Sequence, residues 1–242
     1  MAAYQWADAV TYVKPFVKNI PTSALDLTAC DTLHSAIWRY WFWKWAMASL
    51  TPIAAVDGTQ DYSIANADFY RLYRARLTQT SITPNVVREK DVVSFLSPNK
   101  EQQGGIDAIQ AVSYIDAISK LRLDRAASVP SGVTWQIDGD YQKQPTKLTT
   151  TATDIPFSDL YFDVALEALK WKYYQLGDDP RAGTQVITRE GHVTYSGQLG
   201  TFMTLLDGMA RAEGKGYGDS QRFPSEPLGV GRTSNPGLFG WY

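Results

Sequence analysis

The run Trp38-Arg39-Tyr40-Trp41-Phe42-Trp43-Lys44-Trp45 holds half of the eight tryptophans in a chain of 242 residues. It closes a helical pattern and leads into Val56-Asp57-Gly58-Thr59-Gln60-Asp61-Tyr62-Ser63-Ile64, where the period changes from helix to strand. A packed aromatic side chain hides about 150–250 Å², and a run this dense marks either a core or an interface. Leu33, Ile37, Trp41 and Trp45 fall on one stripe, while Trp38, Phe42 and Trp43 spread apolar surface around the other sides. The spacing predicts one long helix from about Ala24 to Ala48, apolar all round at its carboxy-terminal end and enclosed there by the chain's own β part or by a subunit neighbour, the first being favoured. Pro21-Thr22 stops the preceding segment, and Ser23 with Asp26 approximates a capping box.

Upstream, Trp6, Val10, Val13, Val17 and Ile20 repeat at helical spacing. Pro15 falls inside that stripe, and proline removes a donor and clashes with the preceding turn, so the helix kinks there or stops at Lys14. Downstream the pattern is β. Asp57-Gly58 predicts a hairpin between Ile53–Val56 and Tyr62–Ile64. Phe69 to Leu77 alternates and carries Arg71, Arg74 and Arg76 on both faces, which predicts an edge strand or one facing acidic partners.

Gln79 to Gly105 is polar and broken by proline, with at most a short helix near Glu89 to Leu96; a loop of that length is usually functional or mobile. Ile106 to Ile118 fits either period and is read as strand, followed by strands at Lys120–Arg125 and, after the Pro130-Ser131-Gly132 turn, from Val133 towards Tyr141. Helix returns after Pro156, capped by Ser158 or Asp159, with Leu160, Val164, Ala168, Trp171 and Leu176 facing inward and Gly177 and Pro180 closing it. Ser196 caps a last helix with the stripe Leu199, Phe202, Met203, Leu206, Met209 and Ala210, ending at Gly214.

This order predicts an α+β fold: a four-helix bundle of two amino-terminal and two carboxy-terminal helices, with an inserted antiparallel β domain and an extended tail. The segments are residues 1–49 and 156–214 for the bundle, 50–155 for the β domain and 215–242 for the tail. The tail is rich in Gly and Pro and has no period, yet it carries spaced apolar residues, which suits a segment ordered by a partner or a tail packing along its own domain.

Composition narrows the function. With 44% hydrophobic and 20% charged residues the chain can bury a real core, and a net charge of −2 gives no basic footprint for tight duplex binding. A single cysteine, Cys30, excludes an intrachain disulfide framework and any multi-Cys zinc site, and reads as a small buried apolar residue from a reducing compartment. Nothing reaches the ~18 uninterrupted apolar residues of a membrane span, and no basic-then-apolar leader opens the chain, so a protein with neither membrane anchor nor signal peptide is expected.

Chemistry is sparse. His34 and His192 are far apart, Asp178-Asp179 has no further carboxylates at ligand spacing, and the glycines at 214–218 and 229–231 follow no strand. Gly218-Asp219-Ser220 has no partnering histidine motif. No catalytic residue, metal ligand or cofactor is assigned.

The order of the parts resembles the head-to-tail adaptor (connector, or neck) proteins of tailed bacteriophages. The resemblance rests on the Trp41 to Trp45 stretch after a helix, on Gly58 to Tyr62, and on Asp68-Phe69-Tyr70-Arg71-Leu72. Further on it rests on Leu121-Arg122-Leu123 before a Pro-Gly turn, Gly139-Asp140-Tyr141 leading to Pro145 and Leu148, and Ile155-Pro156 opening a helix. It covers about residues 20 to 215, and Asn66-Ala67 stands where that family usually has a proline before the Asp-Phe pair. The resemblance implies a virion protein made in the host cytoplasm: a ring, commonly of twelve copies, at the portal vertex between head and tail. It touches the portal protein and a downstream tail or nozzle protein, and double-stranded DNA passes through its lumen without sequence specificity.

On that reading Phe223, Leu228, Phe239, Trp241 and Tyr242 anchor the tail on the portal, and Arg71, Arg74 and Arg76 serve a subunit or tail interface. Trp38, Trp41, Trp43 and Trp45 are core or interface aromatics. Two other classes compete: a carbohydrate-binding module with Trp43 or Trp135 as an exposed platform, and a small hydrolase using Asp140 and Asp163.

Overall fold

A computed structural model describes residues 3–17, 23–94, 96, 103–187 and 193–214. In chain order the elements are α1 (Trp6–Val13), α2 (Ser23–Tyr40), β1 (Met47–Ser49), β2 (Ile53–Ala54), β3 (Asp61–Ser63), β4 (Phe69–Gln79), β5 (Val86–Val93) and β6 (Gln103–Gly105). They continue with β7 (Ala111–Ile115), β8 (Lys120–Leu123), β9 (Ala126–Ser128), β10 (Trp135–Lys143), α3 (Phe162–Leu176), β11 (Gln185–Ile187), β12 (Val193–Tyr195) and α4 (Gly197–Gly214). Two compact units result, one from residues 1–45 and 145–242, the other from Ala46–Gln144.

The β unit is a curled, mixed sheet resembling half a barrel, with strand order β1-β10-β4-β5-β7-β8-β3 and β2 also paired to β10. The sheet is mixed because β5 runs parallel to β7. Its core gathers Leu72, Leu77, Ile109, Leu121, Leu123 and Ile137. Along β4 the buried apolar residues are Phe69, Leu72, Ala75 and Leu77, a spacing of three, three and two that no regular strand gives. Two register shifts against β10, between Asp140 and Tyr141 and between Gln142 and Lys143, supply the reason: each bulge inserts one residue and resets which side chains face inward.

The helical unit is organised on α3, against which α1, α2 and α4 each pack. The amino terminus is lashed by the strand-like segment before α3: the amides of Trp6 and Ala7 donate to the carbonyls of Thr153 and Thr151 (3.2 and 2.8 Å), and the Ile155 amide donates to the Tyr4 carbonyl (2.9 Å). Asp26, buried, accepts from Lys14 Nζ (2.7 Å) and from the Tyr173 hydroxyl (2.6 Å), joining the end of α1, the start of α2 and α3. Leu199, Phe202, Met203, Leu206, Met209 and Ala210 are all buried, as the stripe of α4 requires.

Several expectations are overturned. The chain is not a four-helix bundle carrying an inserted antiparallel β domain: it is mostly a curled mixed sheet, and only four helices occur among the described residues. The other three helices all pack on α3, and α2 also meets α1 through His34 and Trp6 and α4 through the Tyr40 hydroxyl on Asp207. One cause of the difference is helix length, since α1 gives way to a 3-10 turn at Lys14–Phe16, where Pro15 falls, and so has only eight residues.

α2 stops at Tyr40, not Ala48, because Trp43 turns back to donate its indole N–H to the Ile37 carbonyl (2.6 Å), and Met47 already belongs to β1. Ile53–Ala54 and Asp61–Ser63 are not a hairpin: β2 pairs with β10 and β3 with β8. Glu89 to Leu96 is no helix, since β5 runs to Val93. β4 is not an edge strand, lying between β10 and β5. Leu160 and Leu176 do not face inward; both are exposed. Ile20, Pro21-Thr22, His192 and the whole 215–242 tail lie outside the described residues.

Candidate interaction surfaces

The aromatic run builds a core within the helical unit. Trp38 and Trp43 are buried, while Trp41 and Trp45 are half-buried. Trp45 meets Trp38 edge-on (centroids 4.8 Å apart) and stacks on Trp43 (5.7 Å), and Phe157 closes one side at 6.3 Å. His34 continues the chain of rings, 5.3 Å from Trp38 and 6.3 Å from Trp6. These rings packed on the run come from the helical unit itself, where the sequence pattern points to the β part. Trp43 and Trp135 are both buried, so neither is a platform for a sugar.

The three arginines of β4 share one face. Across the bulges Arg71, Arg74 and Arg76 stand opposite Gln142, Asp140 and Asp138, which alternate along β10 on a single side. Arg71 Nε donates to Gln142 Oε1 (2.6 Å), and burial draws its guanidinium down to about 10. Arg76 Nε donates to Asp138 Oδ1 (2.7 Å), whose other oxygen accepts from Thr78 (2.6 Å). Arg74 lies 3.9 Å from Glu89 on β5. Charge on both faces, as strict alternation predicts, is thus replaced by a ladder whose partners, Gln142, Glu89 and Asp138, lie within the sheet.

Cys30, Asp140 and Asp163 each have local structural surroundings. Burial pushes the Cys30 thiol up to about 12, far from nucleophilic use. Asp140 accepts from Ser49 (3.3 Å), and Asp163 accepts from the Val164 amide at the start of α3 (3.0 Å). Among the described residues no three His, Cys, Asp or Glu side chains gather as a metal site. No helix of the described residues is long and apolar enough to cross a membrane.

What sequence patterning misses is the apolar surface left outside. Leu160 is 85% exposed, Ile187 64%, Phe16 63% and Tyr12 57%. Tyr12 and its neighbour Tyr4 both lean on Phe162, with centroids 5.9 and 4.0 Å away, and Lys170 lies 5.6 Å over the Phe16 ring. The signal is present in the sequence: Tyr4, Asp8, Tyr12 and Phe16 recur every four residues, off the buried stripe of Trp6, Val10 and Val13. The tail anchors Phe223, Leu228, Phe239, Trp241 and Tyr242 lie outside the described residues. No protein-family model matches the sequence, and no curated protein matches it.

Proposed function

We propose that this protein is a structural virion component: a head-to-tail adaptor that closes into a ring beneath the portal, joins capsid to tail and encloses the DNA channel. The order of sequence motifs motivates the reading. The observation that carries it is the exposed apolar surface of the helical unit, with Leu160 85% exposed and Phe16 63% exposed. Apolar surface of this kind, where it is contiguous, marks a site of protein association.

Charge is compatible with a conduit. A net charge of −2, with the arginines of β4 set against Gln142, Glu89 and Asp138, gives DNA little to adhere to as it slides. The test is native mass measurement and low-resolution imaging of the purified chain, alone and with a portal ring. Rings of about twelve copies, or rings appearing on the portal, are expected from the family resemblance and from the closed symmetry usual for homo-oligomers. Monomers only, with and without portal, would overturn the reading.

A further inference from the structure

We propose that neighbouring copies in the ring join through two different patches of the helical unit: Tyr12, Phe16 and Leu160 of one copy receive Leu176, Val186 and Ile187 of the next. This rests on the ring reading and gives it an interface. The first patch lies along α1 and the turn that opens α3. The second lies beyond the other end of α3, on its last residue and on β11.

Both patches are firmly mounted. The rings of the first are fixed against Phe162 and Lys170. The hairpin of β11 and β12 is clamped at its base, where the Thr184 amide donates to Ser196 Oγ (3.0 Å) and the Ser196 amide donates to the Thr184 carbonyl (3.0 Å). Gly183 sits there at φ 77° with no room for a side chain, since a Cβ would lie 1.9 Å from the Ser196 carbonyl oxygen. A hairpin held this closely presents Val186 on one face and Ile187 on the other without having to be ordered on contact.

The area suits a second copy. Taking about 200 Å² for a fully exposed aromatic side chain and somewhat less for an aliphatic one, the six residues offer on the order of 600 Å² of apolar surface at their observed exposures. A small specific interface buries about 1,200 Å² in total, a little over half of it apolar. The two patches together supply most of that apolar area. Symmetry separates the two modes of association. Pairing the first patch with itself would stop at a dimer and leave the hairpin open, whereas joining unlike patches head to tail propagates from copy to copy and closes as a ring where the rotation per copy allows.

The test is oxidative cross-linking of the full chain. Cys30 does not interfere, being buried with its thiol pushed up to about 12. The double variant Tyr12→Cys with Ile187→Cys should give a ladder of covalent multimers up to ring size. The two single variants should give one dimer band when mixed and none when oxidised apart. Homodimers from either single variant would show a two-fold contact and overturn the proposal.

So would a double variant that stays uncross-linked on a denaturing gel while its native mass still shows rings, an outcome that leaves the ring reading standing. Absence of rings from the unmodified chain, with and without portal, would instead remove the ring reading itself. Cross-linking within one copy between Tyr12→Cys and Trp241→Cys would place the chain's own tail on the patch and also overturn the proposal. A second arm needs no cross-link: Leu160→Asp, at an exposed position, should keep the wild-type melting temperature and raise the concentration at which rings dissociate at least tenfold. An unchanged dissociation concentration would count against the contact.

Discussion

His34 lies between the Trp6 and Trp38 rings, only 5% exposed, and neither of its ring nitrogens finds a hydrogen-bond partner among the described residues. Burial lowers it from 6.5 to about 4, with the Asp31 carboxylate pulling weakly the other way. Above pH 6.5 the imidazole is neutral whether the chain is folded or not, and it contributes no pH dependence. Between pH 6.5 and about 4 the unfolded chain takes up a proton that the folded chain refuses, so stability falls as pH falls. At about 1.36 kcal/mol per pH unit the loss approaches about 3 kcal/mol. His34→Leu should abolish that part of the acid dependence and leave stability at pH 7 nearly unchanged or raised, because it removes two buried unsatisfied nitrogens. Urea unfolding at about pH 7 and about pH 4.5 measures this; an identical acid slope in both proteins would refute the assignment.

Asp26 shows how one residue ties elements together, and why local patterns misplace it. From sequence it is the acid of a capping box; in the fold it is buried and spanned by Lys14 and Tyr173. Asp26→Ala should cost about 3 kcal/mol, since it strands a buried hydroxyl as well as removing an ion pair. Tyr173→Phe should cost about 1 kcal/mol, the worth of one hydrogen bond. Equal losses in denaturant melts would mean that Lys14 carries no share.

In the β unit, Gly139 stands opposite Ala75, where a Cβ would come within 2.0 Å of the Arg74 carbonyl oxygen, whereas Gly132 turns at φ 81° into open space. Gly139→Ala should therefore cost more than about 3 kcal/mol through backbone clash, and Gly132→Ala only about 1 kcal/mol, the ordinary cost of a left-handed residue. Thermal melts that place the two variants level would exclude a close approach at Gly139.

The same elements show what a one-dimensional pattern conveys. Periods of 3.6 on α4 and turn residues at Pro130-Ser131-Gly132 are local, and they are legible. The end of α2 is decided by the Trp43 indole reaching Ile37, and the partners of β2 and β3 by strands some 60 to 80 residues away, which no local spacing encodes. The arginine ladder shares one face only because bulges reset β4 against β10, and bulges leave no reliable mark in composition.

At the scale of the whole molecule, the helical unit is drawn from both ends of the chain and the β unit from its continuous middle, so much of the apolar run that looked like one long helix is divided between elements. The candidate surface is less legible than the fold because exposure depends on which face of α1 its neighbours cover, and Leu160 looks like any inward leucine until α3 is seen to begin after it. The charge balance, by contrast, is fully written in the composition, and it sets the last expectation. A protein that held phosphates through many unpaired cations would bind duplex DNA tightly, with an affinity falling steeply as salt rises.

Here Arg122 makes a two-pronged contact with Asp61 (2.7 and 2.8 Å), Arg76 is paired with Asp138, and Arg181 with Asp179. Each such pairing withdraws a cation from the set that could release counterions from DNA. Fluorescence anisotropy with a labelled duplex at about 150 mM salt should show binding no tighter than the non-specific range of about 10⁻⁴ to 10⁻⁶ M, with a shallow dependence on salt. Sub-micromolar binding with a steep salt slope would mean that the arginines leave their acids for phosphate, and it would count against the proposed conduit.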